Sequence, residues 1–240
     1  MARQRLSNVI VEDYLRSIGS GALEPGTPLP AEGALCETYE VGRSVVREAL
    51  QALDAKGFIV VRQGSVAVVA PRHRWQVLDP AFLAVNTGED FFALLQEARE
   101  MLEPRLAAVA ATRVTPQLLE ELEELIESLA ATVESPEAHA EIDLAFHDAI
   151  ARATDNAILV SLHASISGLG WRTRFAAAAI PGAIDRAVAW HRQLVEALRA
   201  GDPVWASAAM DLHLRQVREE LRRIDPKILG DDDQETTTDE

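Results

Sequence analysis

A chain of 240 residues with 48% hydrophobic content holds enough apolar material for two separately packed cores. Its single cysteine, Cys36, excludes an internal disulfide framework, and no apolar signal segment or spanning run follows Met1, so a cytoplasmic location and no membrane partner are expected. The formal charge of −15 would argue against a nucleic-acid partner if it were evenly spread, but residues 1–75 carry 9 basic and 8 acidic side chains while the remainder carries 14 and 30.

The first informative segment is LPAEGALCETYEVGRSVVREALQAL, residues 29–53. Leu35, Tyr39, Val41, Val45, Val46, Ala49, Leu50 and Leu53 recur at helical spacing, and Arg43, Ser44, Arg47 and Gln51 fall on the opposite side. The pattern predicts two short helices joined by a tight turn, the first starting after Pro30 with Glu32 in its first turn, the second starting at Gly42. Arg43, Ser44 and Arg47 then stand at the N-terminal end of the second helix, where a recognition helix reaches base edges and phosphates. A plain helical hairpin with a solvated Arg/Glu face has the same periodicity.

The next residues along the chain favour DNA. Lys56 and Gly57 read as a helix C-terminus, and two β-branched runs, 58–62 and 66–69, flank Gln63, Gly64 and Ser65. A hairpin in that position makes a winged helix-turn-helix, with Gly64 at a tip small enough to approach a sugar-phosphate backbone and Arg62 beside it. The near-neutral balance of this part implies a modest, salt-sensitive grip, so two modules per operator are expected.

The segment APRHRWQVLDP, residues 70–80, has proline near both ends and predicts an ordered, packed linker, taken as residues 71–87. Beyond it the chain is rich in Ala and Leu with Glu/Arg faces. Breaks at Thr115-Pro116, Ser135-Pro136, Asp155-Asn156, Pro181-Gly182 and Gly201-Asp202-Pro203 delimit helices expected at 89–113, 116–133, 136–153, 156–179, 183–200 and 203–224. The expected fold class is therefore mainly α: a winged helix-turn-helix domain over 1–70, then an all-α bundle over 88–226. The terminal stretch 227–240, ending DDDQETTTDE, reads as an acidic disordered tail.

Asp143 and His147 sit four apart, which places a carboxylate and an imidazole on one helix face. His191 and His213 lie on two later helices and converge with them if the helices form a bundle. One carboxylate and three imidazoles suit a divalent metal, zinc first, with nickel, iron or manganese if open positions complete an octahedron. Each of these residues taken alone reads equally as a satisfied groove or surface side chain. His73 falls in the basic linker, and His139 and His163 are read as surface residues, although His139 stands one turn before Asp143.

These residues carry a resemblance. Residues 8–70 resemble the DNA-binding domain of the GntR family of bacterial transcription regulators, through LPAE, VGRSVVREAL, the glycine after the second helix and the glycine-bearing wing. Two positions depart from the family's pattern. Gly42 stands in place of Ser or Thr, a weaker N-cap by roughly a few tenths of a kcal/mol, and Gly33 stands where many members carry an arginine that contacts DNA. The segments EAREMLEPRLAAVAAT and DLAFHDAIARATDN, with the two later histidines, resemble the FCD effector domain of the FadR subfamily, extending the likeness to about residue 224.

That resemblance implies a metal held by Asp143, His147, His191 and His213, a small carboxylate effector bound at it, and Arg99 as the arginine facing that effector. It also implies a homodimer on double-stranded operator DNA, most simply a repressor released by its effector. Arg99 has a second reading as a surface partner of Glu103 at i+4, while Trp171 and Arg174 read as lining residues of the bundle rather than site residues. The linker APRHRWQVLDPAFL resembles a branch that senses sugar acids such as galactonate or gluconate. A metal-dependent hydrolase with an accessory DNA-binding domain is the rival reading, against which stands the absence of an H-E-x-x-H or similar signature. A purely structural metal is the third.

Overall fold

A computed structural model describes residues 2–62, 65–86, 89–132 and 135–224. They form two compact units, residues 1–88 and 89–240, with eleven α-helices and one two-stranded sheet among the described residues. No described helix is long and apolar enough to cross a membrane.

The first unit holds α1 (Ala2–Gly19), α2 (Glu32–Thr38), α3 (Arg43–Ala55), β1 (Ile59–Val60), β2 (Val68–Val69) and α4 (Pro80–Val85). The pair α2 and α3 is the one expected from residues 29–53. Leu35, Val45, Val46, Ala49, Leu50 and Leu53 are buried, and Arg43, Ser44, Arg47 and Gln51 are exposed. The surface they pack on is α1, an element that the periodicity of residues 29–53 does not reveal. Its Ile10, Tyr14, Leu15 and Ile18 repeat at helical spacing and are buried, each apolar side chain contributing about 1.5–3 kcal/mol of transfer free energy. Gly42 is the N-cap of α3 with extended backbone and makes no side-chain cap hydrogen bond.

α3 ends in a Schellman arrangement: the Phe58 N–H donates to the Leu53 carbonyl and the Gly57 N–H to that of Asp54. Gly57 has φ +75°, and a Cβ there would lie 2.1 Å from the Arg74 carbonyl oxygen. Gly57→Ala is therefore expected to destabilise the first unit by at least the ~1–2 kcal/mol of left-handed strain, with the backbone clash adding to it. Chemical denaturation of the variant checks this.

The wing is shorter and better supported than expected. Within the hairpin, only Ile59 with Val69 and Val60 with Val68 pair among the described residues, but residues 27–29 line the second strand: Pro28 bridges Val68, the Leu29 N–H donates to Ala67 O and the Val69 N–H to Thr27 O. Gln63 and Gly64, the expected tip, lie outside the described residues. The expected linker packs from residue 71 to 86 onto the first unit. Phe58 stacks on Phe82 with centroids 4.8 Å apart and contacts Trp75, whose Nε1–H donates to the Ala70 carbonyl. Asp79 caps α4 ahead of Pro80 and pairs with Lys56.

The second unit holds α5 (Glu89–Ala111), α6 (Pro116–Ala130), α7 (Pro136–Ala153), α8 (Ala157–Ser167), α9 (Trp171–Ala178), α10 (Ala183–Arg199) and α11 (Pro203–Ile224). Thr115, Ser135 and Asn156 cap α6, α7 and α8 through side-chain oxygens, and Asp202 accepts from the Val204 and Trp205 N–H groups at the start of α11. The helix expected over 156–179 is instead two, α8 and α9, separated by a 3-10 turn at 168–170. Gly168 and Gly170 each cost a helix about 1 kcal/mol relative to Ala, which weakens the chain at that turn. α11 lies along α5 and α10, and α7 packs against α5, α6, α8 and α9, around a core that includes Leu122, Leu129, Phe146, Ile150, Leu198 and Leu214.

Candidate metal and effector site

α7 carries His139, Asp143 and His147 at i, i+4 and i+8 on one inward face, and all three are buried. α10 brings His191 and α11 brings His213 to the same interior point, both buried. One ligand atom from each of Asp143, His147, His191 and His213 lies within 4.8 Å of the others. His191 Nε2 is 3.3 Å from Asp143 Oδ1, and His147 Nε2 is 3.6 Å from Asp143 Oδ2. The His191 and His213 ring centroids are 4.4 Å apart.

Within the protein these donors are poorly satisfied. Both ring nitrogens of His213 and Nδ1 of His191 have no hydrogen-bond partner, although buried polar atoms are nearly always bonded. Burial pushes His191 down to about 3 against the pull of Asp143, and burial with the neighbouring imidazoles pushes His213 down as well. Burial alone would raise Asp143, but His147, Arg174, His191 and His213 together hold it well below the usual carboxylate range. A neutral His191 and His213 beside an anionic Asp143 are in the protonation states a divalent cation requires. The donor set fits zinc by chemistry and number.

Around the cluster runs a buried ionic layer whose members read differently in the sequence. Arg99, on α5, is 1% exposed and donates its Nε–H to Glu103 Oε1 at 2.8 Å. The expected i+4 partner is the one found, but the pair is buried rather than on the surface, because α5 turns this face onto α7, α8 and α11. His139 and His163, expected on the surface, are 4% and 1% exposed. His139 Nδ1 lies 3.2 Å from Thr132 Oγ1, and His163 Nδ1 lies 3.0 Å from Asp148 Oδ1, which also accepts from Ser167 Oγ. Their burial follows from the inward face of α7 and from the packing of α8 on α5 and α7.

Arg174, on α9, donates Nε–H to Asp143 Oδ2 at 2.6 Å. Gly170 makes room for it: a Cβ there would sit 2.2 Å from Arg174 Nη1. α9 has eight residues and no periodic face to mark Arg174 in the sequence; its only local signal is its place four residues after that glycine. Trp171, on the same helix, stacks on Phe175 with centroids 5.3 Å apart.

A narrow cleft opens beside the cluster. Its polar lining is Arg99, His139, Asp143, Arg174, His213 and Glu220; its apolar lining is Ala177, Ala178, Ala183, Ala187 and Val217. Nη2 of Arg99 and Nη2 of Arg174 are buried and make no hydrogen bond. Two guanidinium donors beside a cluster that could hold a cation suit a carboxylate.

The expected DNA-contacting side chains sit in the first unit. Arg43, Ser44 and Arg47 are exposed on the first turns of α3, and Arg47 Nε pairs with Glu32 Oε2 of α2 at 2.9 Å. Gly64 lies outside the described residues.

Residues 6–69 match the family described as bacterial regulatory proteins, gntR family, and residues 95–216 match the FCD domain. The chain is similar to the galactonate operon transcriptional repressor of Escherichia coli (strain K12), 33% identical over 158 residues covering 64% of this chain and 69% of that protein. It is similar to the Glc operon transcriptional activator of Escherichia coli (strain K12), 31% identical over 235 residues covering 93% of this chain and 91% of that one. Among solved structures it is similar to Streptococcus agalactiae GntR, with a TM-score of 0.50 and 28% identity over 89% of this chain and 99% of that one.

Proposed function

We propose, from the premise that this chain belongs to the GntR family of bacterial regulatory proteins and carries an FCD domain, that it is a homodimeric repressor released from operator DNA by a small carboxylate bound at a metal. Membership makes it a transcriptional regulator and not an enzyme, with a helix-turn-helix for DNA and an FCD domain for a small-molecule effector. In this reading residues 1–70 bind operator DNA in the bacterial cytoplasm, 71–87 join the parts, and 88–226 hold metal and effector.

The observation that carries the proposal is the buried Asp143, His147, His191, His213 cluster beside Arg99 Nη2 and Arg174 Nη2, two buried donor atoms that make no hydrogen bond. Zinc fits the cluster first. When bound, the ion supplies a Lewis-acidic coordination position for an effector oxygen. Arg99 and Arg174 orient the effector's anionic end, and the alanine wall keeps water from competing for it. The repressor reading draws on the galactonate operon relative; by linkage, effector and operator then weaken each other by the same factor. The homodimer is supported by the exposed apolar side chains Leu94 and Met101 of α5 and Ile158 and Leu162 of α8, two helices packed on each other.

A hydroxy-carboxylate suits the site, and the linker's likeness to sugar-acid sensors puts galactonate or gluconate first. The apolar part of the cleft lining favours a second reading, a shorter hydroxy acid, because its alanines and valine offer no hydrogen-bonding groups to a row of hydroxyls. Titrating an operator fragment against the protein with sugar acids and with two- or three-carbon hydroxy acids, with and without chelator, decides between them. The acid that weakens operator binding only in the metal-loaded protein is the effector class. If no acid changes operator affinity, the release mechanism is wrong.

A further inference from the structure

Glu103 is not among the four clustered ligands, yet it is 1% exposed and lies against one of them. It stands on α5 one turn after Arg99. Its Oε1 accepts from Arg99 Nε–H at 2.8 Å, and its Oε2 is 2.6 Å from His147 Nδ1, a close ionic contact without hydrogen-bond geometry. Two more donors close in on the same carboxylate: His163 Nε2 at 3.9 Å and Arg174 Nη2 at 4.0 Å from Oε1. The other nitrogen of His147, Nε2, faces Asp143 and the cluster.

We propose that Glu103 is the positioning carboxylate of this site: one oxygen holds His147 as the Nδ1–H tautomer with Nε2 toward the metal, and the other aims Arg99 at the effector. The inference rests on the reading of the cluster and cleft as a metal and effector site. A carboxylate behind a ligating imidazole fixes its ring and makes it a more basic ligand. Here that carboxylate also holds Arg99, the guanidinium that faces the effector. An effector that draws Arg99 away from Oε1 therefore changes the partner of His147, and metal affinity and effector affinity are coupled through one side chain.

The test uses the full chain and cobalt(II) as the probe metal. In competition with a chromophoric chelator, Glu103→Gln is expected to bind cobalt about 10- to 100-fold more weakly than the unaltered chain, with a shifted ligand-field spectrum. If the unaltered chain takes up no cobalt, the metal reading falls and this inference with it. If the unaltered chain binds and Glu103→Gln matches it in affinity and spectrum, only the positioning role is overturned. Gln beside two buried guanidinium groups can prevent folding, so nitrogen-detected NMR of the unaltered, zinc-loaded chain gives an independent answer. The expected signature is a protonated Nδ1 and a metal-bound Nε2 on His147; metal on Nδ1 overturns the proposal.

Discussion

Arg47→Ala is expected to abolish specific operator binding while metal content and helix content stay at their unaltered values. Arg47 stands on the second turn of α3, exposed, with its guanidinium on the solvent side opposite Val45, Val46, Ala49 and Leu50. A bidentate arginine contact to a base is worth about 1–3 kcal/mol, and two modules on one operator double the loss, so binding weakens by roughly 30-fold to more than 10⁴-fold. Arg43→Ala should act in the same direction. The structure adds a control of opposite sign. Arg47 is paired with Glu32 in the free protein, and DNA must take the guanidinium from that carboxylate.

Both partners of this pair are well exposed, so the pair itself contributes only about 0–1 kcal/mol. Glu32→Gln should therefore tighten operator binding by at most about fivefold per module, or roughly 30-fold for two modules, and more visibly at low salt. Band-shift or fluorescence-anisotropy titration over a range of salt measures both variants. Unchanged operator affinity in Arg47→Ala, or a loss of bound metal along with it, would mean that α3 is not the recognition helix.

The same helix shows how far local sequence reaches. Alternation of apolar and charged positions from Leu35 to Leu53 locates α2 and α3 because the driving force, burial of one face, leaves a local periodic trace. The caps at Thr115 and Ser135, each followed by proline, and Asn156 mark helix starts for an equally local reason: an N-cap oxygen satisfies N–H groups two or three residues on. Asp143 and His147 are readable as a pair because one helix carries both. Glu103, His163 and Arg174 are not readable as parts of one site. What makes them so is the meeting of α5, α8 and α9 against α7, and that depends on packing between segments up to 71 residues apart (Glu103 to Arg174). The Arg99–Glu103 spacing is visible, but whether an i+4 ion pair faces water or a core is decided by the neighbouring helices.

His213→Ala is expected to remove bound metal and effector response together, and its effect on stability should depend on whether the metal is present. With a saturating ion the unaltered protein gains RT ln(1 + [M]/Kd), about 4 kcal/mol at a thousandfold excess over Kd, and the variant forfeits most of it. Without metal, the unaltered protein buries a His213 whose two nitrogens have no partner. Alanine removes that desolvated polar group at the cost of a small cavity, so the two metal-free proteins should unfold within about 1–2 kcal/mol of each other. The pH response of the metal-free unaltered protein follows from His191. Its folded-state value is lowered from 6.5 to about 3, so below pH 6.5 the unfolded chain takes up the proton first. The stability is complete above that point and is lost progressively as the pH falls toward 3. Metal should hold the folded state to lower pH, since ligation requires the neutral imidazole. Calorimetry of both proteins, with zinc and with chelator, across roughly pH 5 to 8 measures these differences; a His213→Ala variant that keeps full metal occupancy and effector response would remove His213 from the site.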